Sequence, residues 1–69
     1  MVNNERTFDF STERKSRPEA ASYLGVSIEF LEVDVVNKRH KIPYIKIGSK
    51  VFYLKSDLDN WILSRKVEA

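Results

Sequence analysis

Ser16-Arg17-Pro18-Glu19-Ala20-Ala21-Ser22-Tyr23-Leu24-Gly25-Val26-Ser27 is the stretch on which the fold turns. Ser16 with Glu19 three residues on is a capping-box pattern. The hydroxyl can accept the Glu19 amide proton, and the carboxylate can reach back to the Ser16 amide. Pro18 falls in the first turn, where a missing N–H is harmless. Ala20, Ala21 and Leu24 recur at three and four spacing, so they share one helical face. Gly25 then supplies the left-handed conformation that ends a helix. The spacing predicts a helix over 17–24, two turns long and too short to stand alone. Ser27 is a second N-cap, from which another helix runs to Asn37 or Lys38 with Leu31 and Val35 facing the core. Helix, a turn of three residues containing glycine, then helix is a helix-turn-helix pattern. A helical hairpin packed purely as core would read in the same way. Small Ala20 and Ala21 let the second helix cross closely over the first, and the tightness of Gly25-Val26-Ser27 favours the DNA-binding version.

Upstream, residues 1–15 read as a flexible N-terminal tail, polar and charged, with Phe8 and Phe10 as its only aromatics. Their alternation also fits a short strand laid on the body, although a frayed terminus is the preferred reading. Downstream, Lys38-Arg39-His40-Lys41 forms a basic connection closed by Pro43. Tyr44-Ile45-Lys46-Ile47 and Val51-Phe52-Tyr53-Leu54 flank Gly48-Ser49-Lys50, which is a β-hairpin pattern. A two-residue loop pairs Ile47 with Lys50. A three-residue loop pairs Ile47 with Val51 and Ile45 with Tyr53. The second gathers four apolar residues on one face and is preferred, with Lys46 and Phe52 on the outer face. A last helix is expected from an N-cap at Ser56, with Asp57 and Asp59 near the positive end of its dipole. Leu58, Trp61 and Ile62 form its apolar stripe. Trp61 is expected to anchor the core against Leu24, Leu31 and Val35, and Arg65 and Lys66 complement the negative helix end.

The chain has 69 residues, room for one domain: a thin core over 16–66 after the tail. It has no cysteine, so no disulfide or thiolate metal site. No apolar run approaches the ~20 residues of a membrane span, and the first residues lack an apolar signal core. A soluble, cytoplasmic protein without membrane association is expected. The net charge of +2 conceals an asymmetry. Residues 1–37 carry four basic and seven acidic groups, a net −3; residues 38–66 carry eight basic and two acidic, a net +6; Glu68 restores the total. Such a reversal suggests one positive side suited to phosphates, although a solvated surface can cluster charge by chance.

Catalysis has little to draw on. His40 is the one histidine, in a loop full of cations, and reads as a phosphate contact or plain loop residue. No second histidine stands at metal-ligand spacing, and Gly25 and Gly48 are too few for a phosphate-binding glycine loop. Asp57 and Asp59 suit helix capping better than acid–base work. No enzyme activity, cofactor or metal is expected. DNA binding has more support. A hairpin carrying Lys46 and Lys50 beside a helix-turn-helix is a wing, and wings lie over the backbone or in the minor groove while the second helix enters the major groove.

Pro18-Glu19-Ala20-Ala21-Ser22-Tyr23-Leu24-Gly25-Val26-Ser27 resembles the first helix and turn of the excisionase-like, MerR-type winged helix-turn-helix family. Pro43-Tyr44-Ile45-Lys46-Ile47-Gly48, Val51-Phe52-Tyr53 and Lys55 to Ile62 resemble its wing and closing helix. The likeness spans residues 16–62. It implies a mostly α fold with a small β-hairpin, that is, a winged helix-turn-helix. It also implies an excisionase, or recombination directionality factor, of a phage or mobile element. Such a protein binds and bends attachment-site DNA so that an integrase, a tyrosine or serine recombinase, excises the element. Relatives regulate transcription of the same elements, and excisionases often bind adjacent sites cooperatively, so self-association on DNA is expected.

On this resemblance Ser27, Glu29, Glu32 and Val33 are the candidates for the major groove. Lys46, Ser49 and Lys50 are those for the wing contact, and Arg17, Lys38, Arg39 and Lys55 those for phosphates. The chain departs from its relatives in two respects. The second helix shows Glu29, Glu32 and Asp34 and no cation before Lys38, where relatives usually carry basic or polar residues. Either Glu29 or Glu32 reads a base, since a carboxylate can accept from cytosine N4, or this face is a protein-interaction module. The connection to Pro43 is also longer than the family norm by about one or two residues.

Overall fold

The computed structural model describes residues 9–67. The order is α1 (Phe10–Glu13), β1 (Arg14–Ser16), α2 (Arg17–Leu24), α3 (Ile28–Asn37), β2 (Ile45–Ile47), β3 (Lys50–Leu54) and α4 (Lys55–Ser64). The arrangement is a small winged helix-turn-helix.

Both expected helices of the turn form, and their ends are made as the side chains dictate. The Glu19 N–H donates to Ser16 Oγ at 3.3 Å and the Ser16 N–H to Glu19 Oε1 at 2.8 Å, completing the capping box. Gly25 sits at φ +78. Its N–H and that of Val26 donate to the Ser22 and Ala21 carbonyls at 3.2 and 3.0 Å, a Schellman ending that only a residue at ease in the left-handed region favours. Ser27 Oγ accepts the Phe30 N–H at 3.0 Å and starts α3. Buried Ala20 and Ala21 lie in one cluster with fully buried Leu31, since alanine lets the crossing helix come close.

The hairpin forms with the other register. Ile47 pairs with Lys50, Lys46 with Val51 and Ile45 with Phe52, leaving Gly48-Ser49 as a two-residue loop. Gly48 at φ +62 occupies the first central position, the conformation whose twist matches that of paired strands. Turn geometry therefore outweighs the tally of apolar residues per face. Residues directly opposite share a side, so Lys46 lies on the side of Val51. Phe52, Ile45, Ile47 and Lys50 lie on the other side. The expectation that Lys46 shares the outer face with Phe52 is thereby corrected, and Lys46 and Lys50 project from opposite faces of the hairpin.

A two-stranded hairpin alone is marginal in water, and here a third strand completes the sheet. β1 pairs antiparallel with β3, placing Ser16 opposite Phe52, so the order is β1-β3-β2. Of the stretch 1–15 expected as a tail, residues 1–8 lie outside the described residues. Residues 10–15 form α1 and most of β1, packed on the sheet. The Phe10 ring meets Phe52 edge-on at 5.5 Å, and the Arg14 guanidinium lies 5.6 Å from both ring centres. This covers the outer sheet face that a bare hairpin would expose.

The core comprises Ala20, Ala21, Leu31, Ile42, Tyr53 and Leu58. Leu58 is the residue of α4 that is fully buried; Trp61 is half-buried at the rim. The reason is the indole N–H, which needs an acceptor and finds the His40 carbonyl at 2.9 Å. Ser56 does not cap α4. The helix begins at Lys55 after Leu54, without a side-chain cap, and the Ser56 N–H donates to Glu13 Oε1 of α1 at 3.2 Å. A carboxylate distant in sequence thus serves the positive helix end. Among the described residues no helix is long and apolar enough to cross a membrane.

Candidate nucleic-acid interface

Helical spacing puts Glu29, Glu32, Val33 and Val36 on one outward face of α3. Val33 is 55% and Val36 82% exposed, while Leu31 and Asp34 point inward. Glu32 Oε2 lies 3.7 Å from Arg17 Nη1, so the start of α2 is tied to this face. Arg17 also lines a groove with Ser16, Ser49, Lys50, Val51 and Phe52. The hairpin tip therefore meets the start of α2, and Arg17 touches both the wing groove and the α3 face. Arg17, Glu32, Ser49 and Lys50 are brought together although they come from three elements. Lys46 stands exposed one pair behind the tip. Ser27 is exposed, with its hydroxyl engaged in the cap.

The connection after α3 reaches the same neighbourhood from the other side. Arg39 and His40 line a groove with Ser27, Glu29, Phe30, Val33 and Asn37. Lys38 and Lys41, at φ +54 and +56, are the left-handed non-glycine residues among those described. Both border a second groove with Ile42, Pro43 and Tyr44. Such a backbone costs roughly 1–2 kcal/mol per residue and persists only where other contacts enforce it. Asp34 enforces it here. Its buried carboxylate, 4% exposed, accepts the His40 N–H at 2.5 Å and the Ile42 N–H at 3.1 Å. The third acid of the second helix therefore belongs to the scaffold and not to the outer face. The signal was its spacing, three residues from Leu31 on the core stripe.

His40 is likewise more than a loop residue. Its ring stacks on Phe30 at 4.7 Å and 16° and meets Trp61 edge-on at 6.5 Å. The Arg65 guanidinium lies 5.1 Å from the Trp61 ring centre. Aromatic neighbours this distant in sequence leave no local pattern by which to find them.

Lys55 stands in a different cluster. Its Nζ pairs with Asp59 Oδ2 at 3.0 Å, and Tyr23 donates its hydroxyl proton to Asp59 Oδ1. Lys15 and Lys55 lie 5.0 and 5.8 Å from the Tyr23 ring centre. Donation from Tyr23, then from Lys55, holds the Asp59 carboxyl below its ordinary value; the same contacts with Asp59 raise the Tyr23 phenol and the Lys55 ammonium. Behind the interface, burial raises the Tyr53 phenol, opposed by the adjacent Arg17 guanidinium. Neither the Tyr53 hydroxyl nor Arg17 Nε completes a hydrogen bond.

Among the described residues no group of three or more His, Asp or Glu side chains could hold a metal ion. What the geometry offers is an outward helix and a cationic hairpin tip, joined at Arg17, with Arg39 of the following loop beside Glu29 of the helix. A family model described as a helix-turn-helix domain matches residues 16–66. No curated protein and no solved structure matches the chain.

Proposed function

Because the chain belongs to the helix-turn-helix domain family, a DNA-binding family, we propose that it lays α3 in the major groove of a duplex with the hairpin along the adjoining backbone. The observation that carries this reading is the position of Arg17, between Glu32 of α3 and the groove shared with Ser49 and Lys50. One side chain at that junction makes helix and wing parts of one surface. Ser27, Glu29, Glu32 and Val33 face base edges. Lys46, Ser49 and Lys50 follow the backbone, and Arg17, Lys38 and Arg39 meet flanking phosphates. Lys55, already paired with Asp59, contributes less.

The biological role we propose is that of an excisionase of a phage or mobile element, acting in the cytoplasm on attachment-site DNA together with an integrase. Bending 20–30 base pairs by tens of degrees takes on the order of 1–6 kcal/mol, more than one small domain offsets with a few contacts. Several copies are therefore expected to assemble cooperatively on one site. Regulation of transcription uses the same contacts, and an excision assay with the cognate integrase distinguishes the two roles. Excision that proceeds equally well without this protein counts against the excisionase role.

DNA binding itself is tested by affinity for a duplex as salt is varied. Each phosphate contact adds about 0.9 to the slope of log K against log salt. Lys50→Ala is expected to weaken all sequences alike and lower that slope by about 1. An unchanged slope removes Lys50 from the interface. A second reading, a protein-interaction surface on α3, is favoured by the exposure of Val36; absence of binding to random duplex at low salt and micromolar protein would select it.

A further inference from the structure

The outward face of α3 is unusual in its chemistry. Its own side chains are two carboxylates and two valines, Glu29, Glu32, Val33 and Val36, with Arg17 and Arg39 at its borders. Glu29 has no hydrogen bond or ion pair among the described residues, whereas Glu32 is held by Arg17 at 3.7 Å. Glu29 and Val33 are four residues apart, so they are neighbours one helical turn along the same face. Val33 is more than half exposed, an arrangement that leaves apolar surface in water until something covers it. An occupant that matches this face donates a hydrogen bond and presents apolar surface beside the donor.

The four bases answer this requirement very differently. Guanine shows two acceptors in the major groove, N7 and O6, and both repel a carboxylate. Adenine shows a donor at N6 flanked by the acceptor N7, so one carboxylate oxygen is attracted and its twin repelled. Thymine offers a methyl group beside an acceptor. Cytosine alone places its N4 donor between a carbon edge, C5, and the O6 of its paired guanine, so a group approaching from the C5 side meets a donor and apolar surface without an acceptor of the same base. We propose, building on the DNA-binding reading above, that Glu29 and Val33 are specificity-determining residues that select cytosine on the strand facing α3, Glu29 accepting from N4 and Val33 covering C5 or the methyl of an adjacent pyrimidine. The carboxylates also repel phosphates, so the face contributes nothing to random duplex, and the loop and wing cations supply the non-specific affinity. Discrimination of this kind uses an unfavourable contact with the wrong partner as much as a favourable one with the right one.

The test is selection of sites from a random duplex library by the full chain, followed by titration of the chosen site and its single-base variants. Cytosine is expected at one position at least, with a loss of about 5- to 150-fold when that pair is reversed to put guanine on the same strand. Replacing that cytosine by 5-methylcytosine keeps N4 and adds a methyl against Val33, and binding is expected to hold or tighten. Glu29→Gln carries a donor beside an acceptor, so its selected base is expected to move to adenine, while its affinity for random duplex rises. Glu29 is exposed, so Glu29→Gln does not disturb the core. Selected sites rich in guanine, binding without base preference, or an unchanged preference in Glu29→Gln would each overturn the assignment while leaving DNA binding intact. A chain that binds no duplex at any salt would overturn the underlying reading as well.

Discussion

Asp34 ties the loop after α3 back to that helix. It is the one buried charged side chain among the described residues, and its two oxygens hold the amides of His40 and Ile42. Asp34→Ala is expected to leave those amides bare, at roughly 1–3 kcal/mol for each. Urea midpoints for the purified protein measure this, and Asp34→Asn, which retains one acceptor, is expected to lose less. Tyr53→Phe works in the opposite sense. Its hydroxyl is buried without a partner, so removal is expected to leave stability within about 1 kcal/mol of wild type or to raise it. A loss well beyond that would mean the hydroxyl is satisfied in solution. Glu19 gives the pH dependence a sign. Donation by the Ser16 amide holds its carboxyl below the ordinary value of 4.5. Its stabilising effect is therefore present above that value and fades as pH falls through the depressed one. Glu19→Gln is expected to flatten the stability profile in that acidic window, as followed by circular dichroism at stepped pH, and to leave its shape near neutrality unchanged.

At the scale of elements, the turn chemistry is the legible part. Ser16, Glu19, Gly25 and Ser27 announce α2 and α3 because each acts on backbone within four residues of itself. The hairpin was legible in kind but not in register. Counting apolar residues favoured a three-residue loop, whereas Gly48 at the first central position of a two-residue turn decides it. Gly48→Ala is expected to cost about 1–2 kcal/mol through its left-handed backbone alone, since nothing lies within 4 Å of an added Cβ. A stability measurement by thermal melting checks this; a neutral result would argue for a loop of different geometry in solution. The start of α4 was not legible. Ser56 has the right side chain, yet Glu13 takes the helix end from 43 residues away, and no local pattern encodes that. Trp61 follows the same logic, since its place is set by the His40 carbonyl 21 residues off.

At the scale of the whole molecule, the charge asymmetry read from the sequence resolves into separate groups. Lys50 sits with Arg17 at the hairpin tip and Arg39 beside Glu29 of α3, whereas Lys46 projects from the opposite face of the hairpin and Lys38 and Lys41 border a separate groove with Ile42, Pro43 and Tyr44. Lys15 and Lys55 are occupied around Tyr23 and Asp59. Sequence supplies how many cations there are; only the fold tells which of them are already engaged. Lys55→Ala is accordingly expected to change the salt dependence of duplex binding less than Lys50→Ala, and equal effects would place the Tyr23 cluster on DNA too. The central claim concerns one surface running from α3 through Arg17 to the hairpin tip. The most direct test is a titration of the isotope-labelled full chain with a short duplex, following backbone amide signals. Perturbations are expected to concentrate at Arg17, Ser27 to Val33, Lys38 to Lys41 and Gly48 to Lys50. Perturbations centred instead on Phe10 to Arg14 and the outer sheet face, with those segments silent, would contradict it.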